Sequence, residues 1–493
     1  MPLPLPQHGS HLTRVRGAQG RWAIALSSRP AVAQPETSRT VTQQRGLVLP
    51  VGSPGSWDEA GVGSPVVRCY VGDNEERWFM WYGGRAAGAP SVDLVSPSSG
   101  STGIAVSKDG IAWQRGGQAV AGERGALAQA DVGACLTPNG DWWTFDTCHL
   151  AVSDVQVLSN SSVQAGVGVY WGFYSGGDFE AVRLPERLLA LGGQQGKSGP
   201  GAQGAEVPGL RLRAGLAMSQ DARNWARIEG EHHTGALLDV GAEGEWDQLF
   251  IGHPQVLSVG PRDMRMFYHS WDERLGRFIV GYASSPDGFR WTKKGPVYDT
   301  RTAGAAPGDF DELGACARHV VRDPDNRQFL MFYEAVAASG QRSIGLAVSK
   351  DGSSWSRYPV PVLTPSPSPS PHAESGHGSQ LQGTEQQPGL QAAQQPEGAP
   401  SSLGSAAQGV GAEGAVSEGA GQQAGQAGAW DAGAVGAPCA VSMSGGRWRL
   451  YYAGRAEATP GPWLGVGLAL SDQGGPTFQG VPCTFSRWTH AGS

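Results

Sequence analysis

Charge is scarce in this sequence. Asp, Glu, Lys and Arg together make up 16% of 493 residues, and the net charge is −7. No basic field exists to hold a nucleic-acid backbone, so that class of partner is excluded. No apolar run is long enough to span a bilayer, so no membrane partner is expected. The six cysteines are scattered, with no CxxC pair among Cys69, Cys135, Cys148, Cys316, Cys439 and Cys483. In so long a chain they form neither a disulfide framework nor a zinc signature. Reduced, mostly buried thiols are expected instead. No metal constellation is readable from spacing and no cofactor is called for. Acids are missing before Glu36, where Arg14, Arg16, Arg21 and Arg29 sit among Ser and Thr. Residues 1–45 therefore read as an organelle transit peptide, a plastid one included, or as a disordered leader on a cytoplasmic protein.

What is abundant is Gly, at 75 residues, and Trp, at 17. They recur in register. Gly345-Leu346-Ala347-Val348-Ser349 alternates small and large side chains with the period of a strand. Asp351-Gly352 is a tight turn, and Trp355 starts a return strand. The pattern is repeated from Gly103 to Trp113, Gly215 to Trp225 and Gly281 to Trp291, and in degraded form from Gly467 to Phe478. Two further motifs run in phase with it. One is an aromatic-Asp step: Trp57-Asp58, Phe145-Asp146, Trp246-Asp247, Phe310-Asp311 and Trp430-Asp431. The other is an aromatic strand ending in Tyr82, Tyr174, Tyr268, Tyr333 or Tyr452. Each unit reads as four antiparallel strands, the content of one propeller blade. The fold class is thus all-β, a five-bladed β-propeller over residues 46–485 with a tail at 486–493. Residues 86–101 and 186–209 read as loops. Residues 364–428 are Ser-Pro, then Gly/Ala/Gln-rich, without an aromatic, Lys or Arg. That stretch cannot bury a core and reads as a disordered insertion before the last blade, either inert or regulatory.

The turn aspartates Asp109, Asp221, Asp287 and Asp351 read as caps of their own hairpins. The aromatic-Asp step occurs in all five units and also reads as structural. The repeats disagree where inner strands start and aromatic strands end. The first set is Ser64, Asp154, His253, Arg318 and Ala437; the second is Arg85, Asp178, His269, Glu334 and Arg455. That face is the candidate site. Trp143, Trp171 and Trp271 are candidate platforms for a sugar ring.

The repeat number and the turn motifs resemble the five-bladed glycoside hydrolase superfamily of arabinanases, levansucrases and invertases, closest to glycoside hydrolase family 43. The resemblance implies a carbohydrate partner and a monomer. It also implies an Asp, an Asp and a Glu at the starts of the first three inner strands. Here those positions hold Ser64, Asp154 and His253. Glycoside hydrolysis needs two carboxyl groups flanking the scissile bond. Asp154, as acid, and Glu334 are the best pair, with His253, His269, Arg318, Arg85 and Trp271 binding substrate. Two alternatives stay open. One is an inverting phosphorylase using one carboxylic acid, with the arginines and histidines on phosphate. The other is a non-catalytic propeller that binds glycan or protein. An ion held through His253 or His319 would fit some relatives, though no spacing requires it.

Overall fold

The computed structural model describes residues 44–71, 76–88, 100–116, 133–158, 169–191, 205–367, 429–457, 461–475 and 477–489. The Arg-rich leader and nearly all of the low-complexity insertion lie outside these residues. Among the described residues no helix is long and apolar enough to cross a membrane.

The repeats fold into five antiparallel sheets. Blade 1 runs Gly61–Val71, Glu76–Arg85, Ser101–Ser107, Gln114–Arg115 from axis to rim. Blade 2 is His149–Leu158, Val169–Gly177, Leu212–Ser219, Ala226–Ile228. Blade 3 is Gly252–Gly260, Asp263–Asp272, Arg277–Ser285, Thr292–Tyr298, and blade 4 is Ala315–Asp323, Gln328–Val336, Arg342–Ser349, Ser356–Arg357. Blade 5 departs from this order. Its inner strands are Ala434–Met443, Arg447–Arg455 and Gly465–Ser471, and the last of these pairs with both Phe485–Arg487 and the N-terminal Leu47–Pro50. The two ends of the propeller thus close one blade.

The fifth Trp strand is not where the sequence motif placed it. Phe478 belongs to a separate hairpin with Val481. Phe485-Ser486-Arg487 is the counterpart of Trp355-Ser356-Arg357, and the shared arginine shows why. In every blade the aromatic-Asp carboxylate is buried and accepts two bonds. One comes from the second-strand tyrosine: Tyr82, Tyr174, Tyr268, Tyr333 or Tyr452, at 2.8–3.2 Å. The other comes from a cation on the outer strand: Arg115, Arg227, Lys293, Arg357 or Arg487, at 2.7–2.8 Å. This clasp ties rim to core, and the ion pairing satisfies a carboxylate that burial alone would penalise. The step's aromatic ring lies over the third strand. A side chain at Gly103 or Gly281 would collide with Trp57 or Trp246, and one at Gly345 or Gly467 with Tyr333 or Tyr452. That is why each repeat begins on glycine.

The turn aspartates do cap their own turns. Asp351 Oδ1 accepts the Ser353 and Ser354 N–H groups, each at 2.7 Å, and Asp109, Asp221 and Asp287 repeat the pattern. Between blades, the large aromatics Trp78, Trp81, Phe173, Phe267 and Phe332 are fully buried. Each contributes about 1.5–3 kcal/mol of burial.

The segment after blade 2's second strand is more ordered than a loop. Ala181–Leu184 pairs with Ala205–Pro208, and Glu186–Leu191 is a short helix. Leu188 and Leu189 are buried in one cluster with Trp271, Phe278, Cys316 and Val336. This ribbon therefore packs onto the axial end of blades 3 and 4.

Candidate functional site

Aligning the inner strands on the clasp tyrosines gives a register that Gly-x-Pro matching misses. The residues facing the position one before each tyrosine are Val66, Asp154, Gln255, His319 and Cys439. Four of them make the same bond to the next blade. Asp154 Oδ2 accepts the Val256 N–H at 2.9 Å, and Gln255 Oε1 accepts that of Val320 at 2.7 Å. His319 Nδ1 accepts the Ala440 N–H at 3.2 Å, and Cys439 Sγ that of Val67 at 3.3 Å. Val66 cannot accept, and there Arg68 Nε reaches the Val155 carbonyl at 2.9 Å instead. Five different side chains thus stitch neighbouring inner strands around the axis.

Asp154 does more than stitch. Its other oxygen pairs with Arg68, and Gln156 Nε2 donates to Oδ2 at 2.9 Å. The carboxyl is wholly buried. Burial raises its pKa against the opposing pull of Arg68.

Arg318 is the largest polar side chain sealed at the axis. It donates to the His253 and Phe267 carbonyls and lies 3.1 Å from His269 Nδ1. Burial lowers its pKa to about 9. His253 falls to about 3, first through burial and then through the Arg318 charge. His269 and His319 are also held well below the usual imidazole value, chiefly by burial. These histidines are neutral at pH 7 and act as hydrogen-bonding groups rather than charges. Ser64, His253 and Ala437, each before a proline, adopt left-handed φ of 48°, 53° and 43° at inner-strand bulges. Non-glycine residues pay strain there, and such strain gathers at sites.

Arg318 therefore joins His253 to His269, and the Asp154 charge acts on it. Glu334 is sealed in a pair of its own. Its Oε1 pairs with Arg342 at 2.5 Å and its Oε2 accepts the Ala437 N–H at 2.9 Å, both fully buried. Arg85 lies beside His149, whose pKa burial and that arginine depress to about 4. Trp271 is buried beneath Leu188 and Leu189. Glu334, His269, Trp271 and Arg85 all lie at the end of the axis where inner strands start.

A cavity of about 530 Å³ opens at the other end. Arg68, Gln156, Gln255 and His319 form its inner wall, with Glu76, Leu257, Ser442 and Met443 toward the rim. Arg68, Gln156 and Gln255 were not marked by sequence reasoning. The signal that finds them is the tyrosine register, since they sit at or two residues past the stitching position. Among the described residues no group of His, Cys, Asp and Glu is placed to hold a metal ion.

No family model matches the sequence, and no curated protein matches it. Solved structures do match. A glycosyl hydrolase from Bacteroides ovatus is 14% identical, over 88% of this chain and 96% of that one, with a TM-score of 0.44. A structure described under mannoside phosphorylases and glycoside hydrolases that target β-1,2 mannosidic linkages in Candida mannan is 13% identical, over 90% and 97%, at 0.44. An N-acetylgalactosamine deacetylase from F. plautii, in complex with blood group B trisaccharide, is 13% identical, over 87% and 93%, at 0.45.

Proposed function

We propose that this chain is a glycoside hydrolase-like, carbohydrate-active propeller, closest in its repeat motifs to family 43, with Asp154 as proton donor. The observation that carries it is the state of Asp154. It is a buried axial carboxyl with a raised pKa, bonded to Arg68 and Gln156, which both line a ligand-sized cavity. A general acid for glycosidic cleavage is a carboxyl whose surroundings favour its neutral form; burial acts in that direction at Asp154, while Arg68, Gln156 and the Val256 N–H act against it. Arg68 and His319 line the same cavity and would bind substrate hydroxyls or, in a phosphorylase, phosphate. Glu334 remains the proposed second carboxylate. Its use in the same reaction requires it to leave its buried pair with Arg342 and its bond from the Ala437 N–H. An organelle address rests on the acid-poor, Arg-rich leader alone.

A second reading has its own observation. Asp154 makes the bond to the next blade that Gln255, His319 and Cys439 make in theirs. A carboxylate placed for stitching needs no chemistry, and the propeller would then bind glycan without turning it over. The experiment is hydrolysis of a panel of aryl glycosides and oligosaccharides by the full chain, with and without inorganic phosphate. Turnover that falls about 10²–10⁴-fold in Asp154→Asn supports the proposal. Sugar phosphate released only with added phosphate assigns a phosphorylase. Glycan affinity without turnover in either condition assigns the binding propeller.

A further inference from the structure

The aromatic-Asp step of blade 2 differs from the others in the turn that precedes it. In blade 1 the preceding turn is closed by the Ser56 N–H on the Ser53 carbonyl, in blade 3 by Glu245 on Ala242, and in blade 2 by Thr144 on Asp141. The two tip residues are Pro54-Gly55 in blade 1 and Glu243-Gly244 in blade 3. The corresponding pair in blade 4 is Pro307-Gly308. Gly55, Gly244 and Gly308 take φ of +85°, +84° and +89°, as a type II turn requires. Blade 2 puts Trp142-Trp143 at the tip. Its loop is also one residue longer, since Asn139 rather than the residue after it bonds to the Asp146 carbonyl.

Trp142 is 89% exposed and Trp143 40%. Trp142 at a solvent-facing turn buries little, and Trp143 buries only part of its ring. Beside them is a cavity of about 270 Å³ whose lining includes Trp143, Asn139, Asp141, Glu229, Arg227 and Asp146. Asp146 is fully buried, and its Oδ1 has no hydrogen-bond partner. In blade 1 the equivalent oxygen takes the Ser56 hydroxyl, and in blade 4 it takes Arg357. In blade 2 the Thr144 hydroxyl turns away, to the Asp141 carbonyl at 2.9 Å. Asp431 Oδ1 is also unpaired, but the sequence just before Trp430 is Gln426-Ala427-Gly428-Ala429, without a second tryptophan.

We propose that this cavity is a second glycan-binding site, separate from the axis, that takes one neutral sugar residue of a polysaccharide. Trp143 walls the ring, and Trp142 offers a flat face to the next residue along the chain. An aromatic face suits the apolar C–H face of a pyranose, and Trp keeps its polar edge toward water. Asp146 Oδ1, Asp141, Glu229 and Asn139 accept from hydroxyl donors. Arg227 is already held by Asp146 and the Thr137 carbonyl. A site of three carboxylates with its one arginine engaged repels acidic sugars. The carboxylates do not converge as a metal site. The step leads directly into the inner strand that starts at His149, so the site lies at the capped end of the propeller.

The test is native electrophoresis of the full chain through gels containing arabinan, galactomannan or mixed-linkage β-glucan, with polygalacturonate as the acidic control. Retardation in at least one neutral gel and none in the acidic gel is expected. Trp142→Ala with Trp143→Ala should weaken binding at least about tenfold. Trp142→Ala alone, at an exposed position that folding does not use, should weaken it partly. Ser442→Trp, which fills part of the axial cavity, should leave retardation intact, which separates this site from the axial proposal. Unchanged mobility in every neutral gel, equal retardation of the double variant, or retention only in polygalacturonate would overturn the proposal. So would a dimer that Trp142→Ala dissociates, which would assign the tryptophans to self-association.

Discussion

At the end of the axis where inner strands begin, Trp271, Phe278, Cys316 and Val336 are packed beneath Leu188 and Leu189, and Glu334 is sealed against Arg342. At the other end Arg68, Gln156 and His319 look into a cavity of about 530 Å³. Side chains differ from blade to blade at both ends, but for different physical reasons. At the capped end one insertion from blade 2 covers strands of blades 3 and 4, so fivefold equivalence is already lost and each residue fits its own neighbour. Between the ends, Asp154, Gln255, His319 and Cys439 differ in type while accepting the same bond. Along the axis itself, only at the open end does divergence face space that a ligand can fill. Variation among repeats is therefore evidence for a site only where the varied groups are not already used by each other.

The largest effect should come from the capped end. Glu334→Gln keeps an acceptor for the Ala437 N–H but leaves the buried Arg342 charge without its carboxylate. Loss of a partner in a buried pair costs roughly 3–5 kcal/mol, measured by chemical denaturation. A cost below about 1 kcal/mol would mean that water reaches this end, and the contrast between the ends would fail. Next is the ring. Gln255→Leu strips partners from both the N–H and the carbonyl of Val320. Two buried backbone groups left unpaired should cost about 2–4 kcal/mol. Gln255→Glu restores only the acceptor and should recover part of that.

Acid should act on the axial histidines. His253 is depressed to about 3, and His319 also lies well below its unfolded value of about 6.5. Between those values the unfolded chain binds protons that the folded chain refuses. Their contribution to stability is thus complete above about pH 6.5 and is lost as pH falls toward 3. Thermal unfolding followed from pH 7 to pH 4 should show this fall, and His253→Gln should flatten it. The turn cap Asp351, lowered to about 2 by the Ser354 and Ser353 N–H groups, should matter only below about pH 4, and little, because it is exposed.

How much of this was legible follows from what each feature depends on. The blades were, because period-two strands, Asp turns and aromatic-Asp steps are local patterns that repeat in sequence. The fifth outer strand was misplaced onto Phe478. Its partner residues are contributed by both chain ends, and no local pattern says that Leu47–Pro50 returns to Gly465–Ser471. The short helix at Leu188 was read as loop, because six residues among Gly-rich flanks carry little periodicity. Asp154 was marked as a candidate because an acid at an inner strand is conspicuous. Arg68 and Gln156 were not, because a side chain that crosses to the next blade is recognised only from the register. Reading the strands from Tyr82, Tyr174, Tyr268, Tyr333 and Tyr452 would have supplied that register.

The smallest effect on folding should come from the open end, and there it is the most informative. Ser442 lies near the end of blade 5's inner strand and lines the cavity. Its side chain is half-buried and takes no part in the bonds that stitch the ring, so Ser442→Trp should change stability by no more than about 0.5 kcal/mol. An indole there fills part of the space in front of Arg68 and His319. If the open end admits substrate to Asp154, turnover should fall while the denaturation midpoint stays put, with the loss in KM rather than kcat as long as some substrate still enters. The same substitution should leave binding at the Trp142–Trp143 turn untouched. Full activity in Ser442→Trp would instead place substrate entry at the capped end, where Leu188→Ala would then raise activity as it lowers stability by about 2–5 kcal/mol.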